Sequence, residues 1–224
     1  LVIGDTHCPA MRTGYIGFLR RIHDEYECDK VVHIGDLVDW NTISFHEKLP
    51  GDLGSHTEFK KAMKQVQQLY AAFPKADWLI GNHDALPLRQ AASRQIPEQC
   101  LRSPTDLWEI PGWTAHERFT HLEIDGVLYC HGDGGPSGMY AHANAIKANF
   151  QSTVMGHLHS NGGVHWHANE HSRVFGLAVG CGIDVHNPAF QYARNMRRKP
   201  ILGCGVVLGG KRAYFEPWTL RSRA

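Results

Sequence analysis

No apolar run in this 224-residue sequence approaches the roughly 20 residues that cross a bilayer. The opening Leu1-Val2-Ile3-Gly4 is also too short, and too poor in basic residues, for a signal peptide. No Met stands at position 1, so Leu1 need not be the native first residue. Six cysteines (Cys8, Cys28, Cys100, Cys130, Cys181 and Cys204) are scattered with no C-x-x-C spacing. They are too sparse for a disulfide framework and read as reduced thiols, which points to a cytoplasmic protein with no membrane partner. No charge predominates: the formal net charge is +1, so nothing global announces a nucleic-acid partner and only a local patch could. Repeats, low-complexity tracts and linkers are missing too. Residues 1–224 therefore read as one domain, long enough to bury a substantial core.

What the sequence does have is histidine, 16 of them, and imidazole is the commonest metal ligand. The first half alternates between two periodicities. Leu1 to Gly4, Lys30 to Gly35 and Ala76 to Gly81 are short apolar runs that read as buried strands. Between them, Ile16, Leu19 and Ile22 sit at helical spacing, and Ser55-x-x-Glu58 has the form of a capping box opening a helix that Pro74 stops. Strands alternating with helices predict parallel pairing through crossover helices. Pro97, Pro104 and Pro111 then mark an irregular stretch with short helical turns. Beyond it, 119–124 and 127–130 flank Asp125-Gly126 as a hairpin, 139–150 reads as a helix and 152–156 as a strand. Further β runs fall at 163–167, 173–179, 201–208 and 213–216, the last two joined by Gly209-Gly210. The expectation is an α/β domain whose β-rich second half packs a second sheet on the first.

Five segments end apolar runs with metal-type side chains. They are Asp5-Thr6-His7, Gly35-Asp36-Leu37-Val38-Asp39, Gly81-Asn82-His83-Asp84, His131-Gly132-Asp133 and Gly156-His157-Leu158-His159. In open α/β sheets, ligands bind outside the carboxyl ends of strands, so segments distant in sequence would meet at one rim. Carboxylates, imidazoles and one amide suit Mn²⁺, Fe, Zn²⁺ or Ni²⁺ rather than a soft-metal site. Seven candidates (Asp5, His7, Asp36, Asn82, His131, His157 and His159) are too many for one ion and fit two divalent transition-metal ions sharing a carboxylate.

In this order, the five segments resemble the signature blocks of the calcineurin-like metallophosphoesterase superfamily. The resemblance implies a four-layer α-β-β-α sandwich of two mixed β-sheets flanked by helices. It further implies that Asp5, His7 and His159 bind one ion, that Asn82, His131 and His157 bind the other, and that Asp36 bridges them. A metal-bridging hydroxide would attack phosphorus, with His83 as the general acid and Asp84 orienting His83. Asp39 would stand behind the ligands, and Asp133 less directly so. Many relatives carry Gly after the first Asp-x-His; here Cys8-Pro9 follows, a thiol placed to ligate, to oxidise or simply to pack.

Gly-Asn-His-Asp with a Gly-His-x-His ending resembles the phosphodiesterase and repair-nuclease side of the superfamily. Asp39 is followed by Trp40-Asn41, where the protein phosphatases usually carry Arg-Gly. The expected substrate is thus a phosphodiester, a nucleotide or nucleic acid, with Mn²⁺ the first choice of metal. The alternatives are a phosphomonoesterase or protein phosphatase of the same fold, and a non-catalytic metal-binding scaffold. His46, in the loop after Asp39, and Arg89, five residues past Asp84, are candidates for substrate contact. His165 and His167 read as surface residues, and the basic run Arg194 to Lys199 as a solvated loop or a phosphate-backbone contact.

Overall fold

The computed structural model describes residues 1–45, 53–184, 186–187 and 199–219. His46 and the basic residues Arg194, Arg197 and Arg198 lie outside the described residues. The opening run forms β1 (Val2–Ile3), and its side chains divide between two cores: Val2 into one, Ile3 into the other. The same division recurs in β2 (Val32–His33) and β3 (Ala76–Leu79), where Val32 and Leu79 join Val2 while Trp78 joins Ile3. Strands that bury both faces must be covered on both, which dictates a layered architecture.

The first sheet adds β4 (Trp113–His116), β10 (Gly203–Leu208) and β11 (Arg212–Pro217), in the order β11-β10-β1-β2-β3-β4. Strands β1 to β4 run parallel, with Val2 opposite Val32 and Val32 opposite Asp77; β10 and β11 close the other edge antiparallel. The second sheet comprises β5 (Leu122–Ile124), β6 (Val127–Cys130), β7 (Thr153–Met155), β8 (Gly162–Ala168) and β9 (Arg173–Val179), ordered β5-β6-β7-β9-β8. Between the sheets, Val2, Val32, Ile34 and Leu79 pack against Val127, Val154, Phe175 and Leu177.

Helices α1 (Tyr15–Glu25) and α2 (Ser55–Ala72) cover the outer face of the first sheet, placing Leu19, Ile22, Val66 and Leu69 in one core with Ile3 and Trp78. On the far side, α5 (Ala141–Asn149) lays Ala141 and Ala145 against Met155 of β7. The result is the four-layer α-β-β-α sandwich of two mixed sheets that the resemblance implied.

Several local expectations need correction. Ser55 is the first helical residue rather than the cap, a place taken by Gly54. Glu58 makes no capping box. Buried on the inner side of α2, it accepts hydrogen bonds from the backbone N–H groups of Asn41 (2.6 Å) and Thr42 (3.0 Å) and from the Thr42 hydroxyl. The buried stripe of α1 is Tyr15, Phe18, Leu19 and Ile22, with Ile16 only partly covered. The strand expected from Phe119 begins at Leu122, because Phe119 adopts a left-handed conformation (φ 71°). The sequence reading also missed β4 and α3 (Leu86–Ser93), whose Pro87 fits a first turn that needs no donor. A further short helix, α4 (Pro104–Leu107), falls in the proline-marked stretch. Among the described residues, no helix is long and apolar enough to cross a membrane.

Candidate metal centre

The loops after β1 and β2 run side by side, tied by backbone hydrogen bonds. Thr6 and His7 N–H both donate to the Asp36 carbonyl (3.1 and 2.9 Å), Cys8 N–H donates to Leu37, and Asp39 N–H donates to Cys8. Asp5 and His7 are thereby brought against Asp36. Asp5 is bound in turn to the second sheet, where its carboxylate accepts the His157 N–H (3.1 and 3.2 Å) and lies 3.0 Å from His159 Nε2. His7, Asp36 and His157 all hold positive φ (46°, 49° and 64°), a costly conformation for non-glycine residues that gathers at functional sites.

Close approach explains two of the glycines. A Cβ on Gly81 would stand 2.2 Å from Asp36 Oδ1, and one on Gly35 (φ 116°) would stand 2.4 Å from His131 Nδ1. Both loops must lack side chains there for the carboxylate and the imidazole to reach the centre.

Two donor sets share Asp36, and a third group of His7, Asp39 and His83 adjoins them. Asp5, His7, Asp36 and His159 each offer an atom to one cluster, and Asp36, His131 and His157 to another, the atoms of each lying within 4.8 Å of one another. Asn82 Oδ1 joins the second set, 3.1 Å from His131 Nε2. The imidazoles are aimed by their other nitrogens. His7 Nδ1 donates to Asp39 Oδ1 (2.8 Å) and His131 Nδ1 to the Ile34 carbonyl (3.0 Å), which leaves each Nε2 turned toward Asp36 (3.5 and 3.3 Å). The Nε2 atoms of His7 and His159 face each other at 3.1 Å. Four nitrogens and the oxygens of Asp5, Asp36 and Asn82, converging in this way, fit a pair of divalent ions.

The electrostatics agree with that fit. Burial alone would raise the Asp36 carboxyl, but the charges of His131 and His83 hold it well below the usual carboxylate range. Burial and the neighbouring His83 charge lower His7, and burial with the His131 charge lowers His157, so both are neutral and ready to ligate. His131 goes the other way: against its burial, Asp36 raises it to about 10.

His83 sits beside the donor sets without belonging to the Asp36-centred ones. Its backbone N–H donates to Asp36 Oδ1 (2.8 Å), and its ring meets the His7 ring edge-on at 4.5 Å. Nδ1 lies 2.7 Å from the Asp39 carbonyl oxygen and 3.3 Å from Asp39 Oδ1. Burial would lower its pKa, but the Asp36 charge and the Asp39 contacts raise it to about 10. Asp39 itself, although buried, is brought down to about 2 by its hydrogen bonds to His7 and His83. The expected role of Asp84 is therefore corrected. Its carboxylate accepts from the N–H groups of Val38 (3.1 Å) and Gly81 (3.0 Å) and from Trp78 Nε1 (3.1 Å), which ties the two loops together; the residue that orients His83 is Asp39.

The remaining candidates are placed apart from the donor sets. Asp133 is paired with Arg118 (2.6 Å), and exposed Arg89 lies over the Phe45 ring at 5.0 Å. Cys8 packs in the apolar core, fully buried, with its thiol pushed up to about 12 by burial, and belongs to neither donor set. The sequence reading overlooked His33. Buried behind the centre, it lies 3.1 Å from the Thr6 hydroxyl, which donates to the Leu37 carbonyl. A lone imidazole in an apolar strand carries no signal that would single it out.

The chain belongs to the calcineurin-like phosphoesterase family, whose model matches residues 1–186. It is a metal-dependent phosphoester hydrolase, and its His/Asp clusters fit a dinuclear centre. No curated protein matches the sequence. Strands β10 and β11 lie beyond the matched residues, yet β10 pairs directly with β1.

Proposed function

We propose that the protein hydrolyses phosphodiesters of the nucleotide or nucleic-acid type, with His83 as general acid. The observation carrying this reading is the shared Asp36, flanked by two donor sets, with His83 anchored beside them on Asp39. Asp5, His7 and His159 would hold one ion, Asn82, His131 and His157 the other, and Asp36 both. Bound there, two divalent ions supply Lewis-acid stabilisation of the phosphoryl oxygens and an acidified water as nucleophile.

The rest of the chemistry falls to the protein. Asp39 holds Nδ1 of His83, so its Nε2 is the atom left to protonate the departing oxygen. His7 and His131 are fixed in the tautomer that leaves Nε2 available. Asp36, by accepting the His83 N–H, couples the position of the acid to that of the ligands.

Charge supports a diester over a monoester. A dianionic monoester is best met by a guanidinium, whose fork matches phosphate. Arg118 is taken up by Asp133, Arg89 is stacked on Phe45, Arg12 on the loop of His7 lies 3.6 Å from Asp184, and position 40 is Trp where the protein phosphatases usually carry Arg. Mn²⁺ heads the choice of metal because oxygen and imidazole donors are mixed. Turnover of bis(p-nitrophenyl) phosphate against p-nitrophenyl phosphate, with Mn²⁺, Fe²⁺, Zn²⁺ or Ni²⁺, tests the reading. Higher kcat/KM on the diester, lost in Asp36→Ala and His131→Ala, is expected. A preference for the monoester would overturn the diester assignment, and undiminished activity in Asp36→Ala would overturn the site.

A further inference from the structure

We infer that a cationic cleft between helix α2 and the loop after β1, the loop that carries His7, binds the phosphates of a single-stranded nucleic acid. The inference rests on the phosphodiesterase reading and names its substrate class. The cleft has a volume of about 510 Å³ and is lined by Arg12, Ile16, Lys61, Lys64, Gln65 and Gln68 among others. Lys61, Lys64, Gln65 and Gln68 fall at i, i+3, i+4 and i+7 of α2, so they share one face of the helix. That face carries two cations and two amides, and no acid. The only acidic residue of α2 is Glu58, which is buried on the inner side and taken up by Asn41 and Thr42. Arg12 faces the stripe from the opposite wall, with Asp184 3.6 Å away as its partner.

The position of the cleft ties it to the chemistry. Pro9, in its lining, is two residues past the ligand His7, and Arg12 is five, which places it at most about 18 Å along the chain from that ligand. The loop is fixed at both edges. Gln65 pins Met11 by accepting its N–H (3.2 Å) and donating to its carbonyl (3.1 Å), while Arg12 N–H donates to Gly182, whose own N–H donates to the carbonyl of Asp5. A phosphate chain leaving the loop of His7 on this side would thus meet a preformed groove whose backbone wall is fixed and whose free cations, among the described residues, are Lys61 and Lys64. A groove that tracks the backbone is how proteins hold single strands without reading sequence. The overall charge of +1 conceals the patch, because it is local.

The test is fluorescence anisotropy of Mn²⁺-loaded protein with labelled 12-mers, deoxy and ribo, whose phosphorothioate backbone keeps the charge and slows cleavage. Removing two phosphate contacts on a single strand should lower the salt slope of log K by about 1.4, or roughly 25-fold in affinity near 0.1 M salt. Lys61→Gln/Lys64→Gln is expected to show that loss at an unchanged melting temperature. Lys147→Gln/Lys211→Gln, on other exposed surfaces, should bind as the parent does. Equal binding by Lys61→Gln/Lys64→Gln, equal loss in the control pair, no binding by the parent, or displacement by polyglutamate as effective as by oligonucleotide would each overturn the inference. Turnover of the small nitrophenyl diester is read separately. Hydrolysis without oligonucleotide binding sinks the cleft and spares the phosphodiesterase reading, and lysine-dependent binding without hydrolysis does the reverse.

Discussion

His83 is held by Asp39 twice, through the carbonyl oxygen at 2.7 Å and through Oδ1 at 3.3 Å, and the same Oδ1 accepts from His7 at 2.8 Å. One carboxylate thus links a candidate metal ligand to the candidate acid. Asp39→Asn should lower activity or metal affinity about 10- to 100-fold, the usual cost of losing such an outer partner. Asp84→Asn, which loosens three N–H bonds but touches neither imidazole, should act mainly on melting temperature. Comparing kcat, metal content and thermal melts of the two variants checks the division. Equal catalytic loss in both would refute it.

If His83 protonates the leaving oxygen, its value depends on how poor the leaving group is. His83→Asn should cost about 10²- to 10⁴-fold in kcat on an alkyl or nucleoside ester. On a nitrophenyl ester, whose leaving group hardly needs a proton, the loss should be much smaller. The check is a leaving-group series; a uniform loss would assign His83 to binding instead.

Thiol reactivity should follow burial. Cys8, Cys181 and Cys204 are buried and pushed up to about 12 by that burial. Cys130 is partly exposed yet also pushed up to about 12, Cys28 is partly exposed, and Cys100 is exposed. A disulfide reagent at pH 8 should modify Cys100 rapidly, Cys28 next, Cys130 slowly because its thiol is pushed up to about 12, and the other three only on unfolding. Fast modification of Cys8 would mean that the thiol next to the metal loop does more than pack.

Much of this site was legible because each ligand follows an apolar run that ends in a tight turn, and those turns gather at one rim. Partnership was not legible. Asp84 follows His83 in sequence and Asp39 is 44 residues away, yet the fold sends Asp84 to the loop backbone and brings Asp39 to the imidazole. Glu58 misled for a related reason: its spacing from Ser55 has the form of a cap, but burial turned it inward to three donors on the loop that follows Asp39. Strand β4 escaped because Trp113–His116 is four residues long, and pairing with β3 rather than any local pattern makes it a strand. Glu58→Gln should therefore destabilise the fold by about 2–3 kcal/mol, since hydrogen bonds to a charged group are the stronger kind. Urea unfolding measures it.

Metal binding should be linked to both stability and pH, in a direction that His131 sets. In the metal-free protein, Asp36 raises His131 from its ordinary 6.5 to about 10. A raised folded-state pKa contributes stability that is complete below 6.5 and lost as pH climbs through about 10. A ligand must be neutral, so ion binding expels that proton, and affinity should rise with pH over the same window. An ion at a hundred times its Kd stabilises by about 2.7 kcal/mol, or about 5–10 °C in a chain of this size. The melting-temperature gap between Mn²⁺-loaded and chelator-stripped protein should therefore widen from pH 6.5 upward. Calorimetric titrations of Mn²⁺ at pH 7.5, in buffers of differing ionisation enthalpy, should report proton release, with one proton fewer in His131→Asn. Heats independent of buffer would show that His131 is already neutral before the metal arrives.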